Sequence, residues 1–154
     1  MKVHNAEIAN NKRALHEYTI LETIEVGVEL KGTEVKSVRN GKINLRDAFA
    51  RVENGQCLLY NCDIQPYEKA SWSQHEPRRI RRLLLHKKEI QHLYGVCQVK
   101  GNSLVALRAY WKGSRMKLEL GVGKGKVSSD KREDLKKKES DREMAREINR
   151  FNRR

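Results

Sequence analysis

The residues with the most evident chemical potential sit in GKGKVSSDKREDLKKK, Gly123 to Lys138. Glycines and lysines in that order invite a test as a phosphate loop. A Walker-type loop needs G-x-x-x-x-G-K-S/T. Lys124 and Lys126 both lack the upstream glycine and are followed by Gly125 and Val127. A dinucleotide fingerprint also fails, because Lys126 stands where a third glycine belongs after Gly121 and Gly123. These glycines are read instead as letting the chain turn away from the preceding strand and approach a phosphate backbone closely. Hydrolytic signatures are missing as well. There is no G-x-S-x-G elbow, and His86 and His92 are six residues apart, off the i,i+4 spacing of a helical zinc pair. Cys57, Cys62 and Cys97 have no paired spacing, so they are expected to be reduced thiols acting as small buried hydrophobes. Most carboxylates stand beside lysines in helix-like runs, which suits a solvated surface. The pattern predicts no catalysis, no metal and no cofactor.

What remains is charge. The chain of 154 residues carries 33 Lys and Arg against 20 Asp and Glu, a formal net charge of +13. Such a balance attracts polyanions. No stretch approaches the roughly 18 apolar residues of a membrane span, and the N-terminus has neither a signal-like apolar core nor an aromatic anchoring face. A cytoplasmic RNA or DNA binder fits better than a membrane-surface binder.

The elements that must position these charges follow from periodicity. Residues 1–16 are polar and expected to be poorly ordered at the start. In EYTILETIEVGVELKG, Ile24, Val26, Val28 and Leu30 alternate with Glu25, Gly27 and Glu29, a strand. GTEVKSVRNGK reads as a short helix or turn. LRDAFARVENGQCLLYNCDI reads as a hairpin turning at Asn54-Gly55, a dipeptide that tolerates positive φ. Tyr67 to His75 reads as an irregular loop. EPRRIRRLLLHKKEIQHLYG reads as a helix over about 77–94, with Pro77 in its first turn, an apolar face of Ile80, Leu83, Leu84, Ile90 and Leu93, and Gly95 as its stop. SLVALRAYW and RMKLELGV flank Lys112-Gly113-Ser114 as a second hairpin, with Met116, Leu118, Leu120 and Val122 on one face. About five strands and a helix fit a mainly β chain: an OB-type antiparallel barrel over 17–122, or an open sheet with the helix on one face. The barrel is preferred because it leaves no strand edge.

The alternation stops after Val122, so a tail is expected over 123–154. Asp130 and Glu133 resemble a capping box. Glu133/Lys137 and Asp134/Lys138 are favourable pairs, whereas Glu139/Glu143 and Glu143/Glu147 repel. Only Met144, Ile148 and Phe151 form an apolar stripe. A helix with so little to bury is marginal in water. It is expected to be unfolded when free and helical on a surface that supplies counter-charge.

The basic residues form clusters. Asn11, Lys12, Arg13 and His16 precede the first strand. Arg78, Arg79, Arg81 and Arg82 lie within a turn and a half of the expected helix. Lys36, Arg39, Lys42, Arg115 and Lys117 extend the charge over other elements, and Lys124 and Lys126 carry it into the tail. Arginine forks grip phosphates bidentately and lysines add point charge. Tyr18, Tyr67, Trp72, Tyr110 and Trp111 are the aromatics that could stack on bases. Few aromatics and many cations suit a folded RNA read by shape and backbone. The rivals are a general OB-type RNA binder and a basic nuclease.

Four stretches in matching order, IANNKRALHEY, GVELKGTEVKSVRNGKINLRD, RRLLLHKKEI and LGVGKGKVSSDKREDLKKK, resemble the small protein B (SmpB) family, the transfer-messenger RNA-binding proteins of bacteria. The resemblance runs from about Ile8 to Lys138. It implies an OB-fold barrel with accessory helices and a non-enzymatic role in trans-translation. The partners implied are the tRNA-like part of transfer-messenger RNA and a stalled ribosome. Alanyl-tRNA synthetase and elongation factor Tu would join through the RNA. Asn11, Glu25, Leu84 and Lys117 match family positions at the RNA-binding face. Gly125 and Asp130-Lys131-Arg132 match the segment that enters the decoding centre. Ser129 departs from the family's frequent His, and a serine cannot stack on a base as a histidine can.

Overall fold

The computed structural model describes residues 6–67, 74–126 and 128–152. The chain runs β1 (Ala6–Asn10), α1 (Lys12–Glu17), β2 (Tyr18–Val28), α2 (Gly32–Arg39), β3 (Ile43–Asn44), β4 (Phe49–Glu53) and β5 (Gln56–Tyr60). It continues with β6 (Asp63–Ile64), β7 (Arg81–Leu84), α3 (Lys87–Cys97), β8 (Asn102–Lys112), β9 (Arg115–Gly125) and α4 (Ser128–Asn152).

Six strands close on themselves in the antiparallel order β8-β4-β5-β7-β2-β9, with β9 pairing back onto β8. This is the barrel expected, rather than the open sheet. Two long strands share their edges between partners. The first half of β8 closes against β4 through Phe49 and Ala50, and its second half takes β1, with Asn10 opposite Arg108. Along β2, β9 covers nearly the whole length on one side, while β7 meets only Gly27 and Val28 on the other. β3 and β6 form a separate ribbon.

Both hairpins fold where turn chemistry placed them. Asn54 and Gly55 have φ of 50° and 75°, the pair of positive values a type I′ turn requires. Lys112 sits opposite Arg115, leaving Gly113-Ser114 as the turn, with Gly113 at φ 64°. The inward set of β9, Met116, Leu118, Leu120 and Val122, is buried and joins Val26, Leu59, Leu83, Leu104 and Ala106 in the core. The cysteines behave as hydrophobes. Cys57 and Cys62 are fully buried and burial pushes their thiols up to about 12 and about 11.

β1 and α1 occupy Ala6–Glu17 within the polar N-terminal segment, and the poor order expected at its start falls on Met1–Asn5, which lie outside the described residues. The structure corrects two expectations. The helix expected over 77–94 is two elements. Arg81 and Leu83 point inward and Arg82 and Leu84 outward, the period of a strand. Arg81 meets Glu34 of α2 inside the barrel, and that pairing overrides helix propensity. Pro77 opens no helix; its carbonyl accepts from Ile64 N–H at 2.9 Å. α3 starts ten residues later, where Glu89 accepts from the N–H of His86 at 3.0 Å, and it continues through Gly95 to Cys97. Finally, β9 outlasts Val122. Gly123 pairs with Ile20 and Ser103, and the strand ends at Gly125.

The glycines there serve packing. A Cβ on Gly121 would lie 2.8 Å from Leu107 Cδ1, and one on Gly123 would lie 2.9 Å from Tyr18 Cβ. Their absence lets Leu107, Ile20 and Tyr18 pack on the outer wall beside Ala14 of α1. Beyond Lys126 the expected tail is one helix, α4. Its described side chains from Leu135 to Arg150 are all exposed, and none belongs to either core cluster. The Asp130/Glu133 box lies outside the described side chains, as do Phe151 and Trp72.

Candidate nucleic-acid interface

The basic residues that looked alike in sequence differ in their availability. Arg81 is not a surface residue. It is fully buried, its Nε and Nη2 lie 2.6 and 2.5 Å from Glu34 Oε2, and it donates to the carbonyls of Cys62, Arg79 and Pro77. It cannot reach RNA. Arg79 is held by the same carboxylate at 2.6 Å. Burial pushes the Glu34 carboxyl up, but hydrogen bonds from Arg79, the Lys31 N–H and Arg81 outweigh it, so the carboxyl lies below its ordinary range.

Asn11 is the second correction. Its side chain accepts from the Ala14 N–H, capping α1, and donates to Leu45 O and Ala106 O, both at 2.8 Å. At 4 % exposure it ties α1 to the barrel and has no amide hydrogen left for a base. Tyr110, a stacking candidate, is likewise buried.

The remaining residues sort into three places. The first is the outer wall of β7, β2, β9 and β8. Gly27 lies opposite Leu84 on one side and Lys117 on the other, and Lys117 lies opposite Tyr110. A Cβ on Gly27 would stand 3.2 Å from Leu84 Cβ, so half-exposed Leu84 rests over a position with no side chain. Glu25 is on the same wall, bonded by the Tyr110 hydroxyl and by Lys112 Nζ at 3.2 Å. Its carboxyl is held below the usual range, first by Tyr110 and, against some burial, by Lys112 and Lys117. Arg82 projects outward beside Leu84, while Lys117 and Arg115 line β9; none of the three has an ion pair among the described residues.

The second place is an open groove of about 820 Å³ beside α1. It holds Arg13 and Arg78, with Arg46 and Arg51, which sequence reasoning passed over as isolated charges. Tyr18, Phe49 and Tyr94 line the same groove. Arg13 is engaged by Glu17 at 2.9 Å and Asp47 at 3.3 Å, and Arg78 lies 3.8 Å from Asp63. The third is α2 and its following loop. Lys36 stands 5.5 Å over the Tyr67 ring and Arg39 5.8 Å over Trp111, with Lys42 exposed beyond them.

Lys12 and His16 lie on α1, next to the root of the tail. There the Lys126 N–H donates to Glu17 O at 2.9 Å, and its ammonium reaches Leu15 O at 3.4 Å. Lys124 and Gly125 end β9 exposed, and Arg132 is exposed on α4. The side chains of Ser129, Asp130 and Lys131 lie outside the described ones. No cluster of His, Cys, Asp and Glu suited to a metal occurs among the described residues.

A closed OB-type barrel whose outer wall carries cations with no ion pair among the described residues, Arg82, Arg115 and Lys117, is the class of protein that fold and site define. Comparison with known proteins narrows it. The family model described as SmpB protein matches residues 8–150. The chain is 53% identical over 137 residues to the SsrA-binding protein of Carboxydothermus hydrogenoformans, covering 89% of this chain and 92% of that one. It is 54% identical over 144 residues to the SsrA-binding protein of Microcystis aeruginosa, covering 93% and 94%. A chain in the solved structure described as "tmRNA-SmpB: a journey to the center of the bacterial ribosome" is 48% identical, with a TM-score of 0.66 over 78% of this chain and 85% of that one. The chain belongs to the SmpB protein family.

Proposed function

We propose that this protein is an RNA-binding component of trans-translation. Its barrel holds the tRNA-like part of transfer-messenger RNA, and its C-terminal helix occupies the empty decoding centre and mRNA channel of a stalled ribosome. One observation carries the reading: the chain divides into a closed barrel and a helix of 25 residues that contributes nothing described to the core. Relatives named SsrA-binding proteins, and the ribosomal complex of a 48% identical neighbour, support it.

The division of labour follows from the charges. Residues 123–154 carry twelve Lys and Arg against seven Asp and Glu. On α4, Glu139/Arg142, Glu143/Arg146 and Glu147/Arg150 are i,i+3 pairs that offset the glutamate repulsions. Each is worth a few tenths of a kcal/mol, far less than a buried face supplies, so α4 opens and closes while the barrel stays intact. Arg142, Arg146 and Arg150 share a face at intervals of about 6 Å, close to the spacing of phosphates along a strand. An anion-lined channel neutralises that face and holds the helix closed. A channel filled by mRNA leaves it no room, so occupancy by α4 reports that mRNA is absent. Gly125, Ser129, Asp130, Lys131 and Arg132 then stand at the decoding centre. Ser129 there offers a hydroxyl. Alanyl-tRNA synthetase and elongation factor Tu act on the same complex through the RNA.

The test is recovery of the tagged full-length protein from cells, followed by sequencing of the RNA bound to it. One dominant structured RNA with a tRNA-like end is the expected result. A broad RNA mixture would assign the protein to general RNA binding instead.

A further inference from the structure

The C-terminal end of α1 is capped by a residue that does not belong to it. A helix leaves its last carbonyls without partners inside the helix. In α1 the Tyr18 N–H takes Ala14 O. Lys126 takes two more: its N–H donates to Glu17 O at 2.9 Å, and its ammonium lies 3.4 Å from Leu15 O, 111 positions away in sequence. A cation at a helix C-terminus has the favourable sign for the aligned peptide dipoles. By its sequence Lys126 belonged with the cations free to grip phosphate. In the fold it is half-buried against α1, whereas Lys124, two residues earlier, is exposed.

The other end of α1 is fixed to the barrel. Asn11 accepts from the Ala14 N–H, donates its own N–H to Leu107 O at 2.7 Å, and donates its amide to Leu45 O and Ala106 O. Between the two ends Ala14 is buried with Val105 and Leu107. A second strap holds the root of the tail one residue before Lys126, where the Gly125 N–H donates to Gly101 O at 3.4 Å. α4 begins at Ser128, two residues beyond Lys126. A helix of 25 residues is about 37 Å long, so turning its root by about 10° moves its far end by about 6 Å, more than the rise of one turn. The arginine face of α4 would then miss the phosphates whose spacing it matches.

We propose that Lys126 is a positioning residue and not an RNA contact. With Asn11 at the far end, it makes α1 a bracket that sets the direction in which the tail leaves the barrel. This rests on the reading that α4 enters the empty mRNA channel.

The experiment uses the full chain and its Lys126→Met, Lys126→Arg and Asn11→Ala forms. It reads amide-exchange protection at residue 126 relative to Leu118 and Leu120 in the core, affinity for transfer-messenger RNA across a salt series, and peptide tagging on stalled ribosomes. A cation at a helix C-terminus shifts a population by roughly twofold to fivefold. Lys126→Met should lower both the protection at residue 126 and the tagging by about that factor, with RNA affinity and salt slope unchanged, because no phosphate contact is lost. Lys126→Arg keeps the cation and should restore both. Asn11→Ala does not touch Lys126, yet it loosens the far end of the bracket and should lower relative protection at residue 126 and tagging as well. A salt slope smaller by about one unit in Lys126→Met would make Lys126 a phosphate contact and overturn the proposal. Unchanged tagging in Lys126→Met, or unchanged relative protection at residue 126 in Asn11→Ala, would overturn it too. A full chain with Arg142, Arg146 and Arg150 all replaced by Ala is the control for the underlying reading. If that form tags at the full rate, the placement of α4 in the channel fails; if it tags poorly while Lys126→Met tags fully, only the bracket fails.

Discussion

Replacing Arg81 by Met tests the strongest physical claim about the barrel. The guanidinium sits at 0 % exposure with two nitrogens at 2.6 and 2.5 Å from one Glu34 oxygen. Its other donations go to Cys62 O at 2.6 Å, Arg79 O at 3.1 Å and Pro77 O at 3.1 Å. Breaking a buried pair by removing one partner costs about 3–5 kcal/mol. Glu34 keeps Arg79 at 2.6 Å and the Lys31 N–H at 2.7 Å, which holds its share near the lower end of that range. The three carbonyls then lose their donor, at about 1 kcal/mol each where water cannot replace it. Together the loss comes to about 6 kcal/mol, a large part of the roughly 5–15 kcal/mol that stabilises a domain. At roughly 2–4 °C per kcal/mol for a chain of this size, the melting temperature should fall by roughly 12–24 °C. Calorimetry at neutral pH reads the shift directly. A second variant, Glu34→Leu with Arg81→Met, removes both buried charges and should recover the part owed to the uncompensated Glu34 carboxylate, while the three carbonyls stay without a donor. A loss below about 1 kcal/mol for Arg81→Met would refute the reasoning. So would a double variant no better than the single.

Three further outcomes follow. The Glu34 carboxyl is depressed in the folded chain, so its stabilising contribution is full above the ordinary unfolded value of about 4.3 and lost as pH falls through the lower folded value. Urea midpoints should therefore drop on acidification below about pH 4, and less steeply in the double variant. With Cys57 and Cys62 fully buried, a thiol reagent should label Cys97 first and the other two only as fast as the barrel unfolds; rapid labelling of all three contradicts the core packing. Gly123→Ala places a Cβ against Tyr18 Cβ, which is no flexible end, and should lower stability by about 1–3 kcal/mol while raising amide exchange at Lys124 and Gly125, the end of β9.

How much of this was legible in the sequence depended on whether the cause was local. Asn54-Gly55 and the alternation of Met116 to Val122 are local signals, and both elements formed where they pointed. The 77–94 helix failed because Ile80, Leu83 and Leu84 satisfy two periods at once, and an arginine in such a run reads as surface. The fact that decides for a strand is Glu34, 47 residues away, waiting inside the barrel for Arg81. The basic clusters had the same blind spot. Arg13, Arg78 and Arg79 face carboxylates brought close only by folding, while Arg46 and Arg51 gain neighbours the same way. The family resemblance picked out Asn11, but its part in tying α1 to two carbonyls was invisible without the fold. Conversely, Glu25, Leu84 and Lys117, scattered through the sequence, come together on one wall because β2 lies between β7 and β9.

The proposed function requires a barrel that binds RNA by itself and a helix that is needed only on the ribosome. A chain ending at Lys126 keeps every barrel strand and its hydrogen bond to Glu17, so the decisive measurement compares it with the full chain in RNA affinity and in peptide tagging on ribosomes stalled without mRNA in the channel. Affinity within about threefold and no tagging are predicted. Tagging at the full rate by the shortened chain, or loss of RNA binding with the helix, would contradict it.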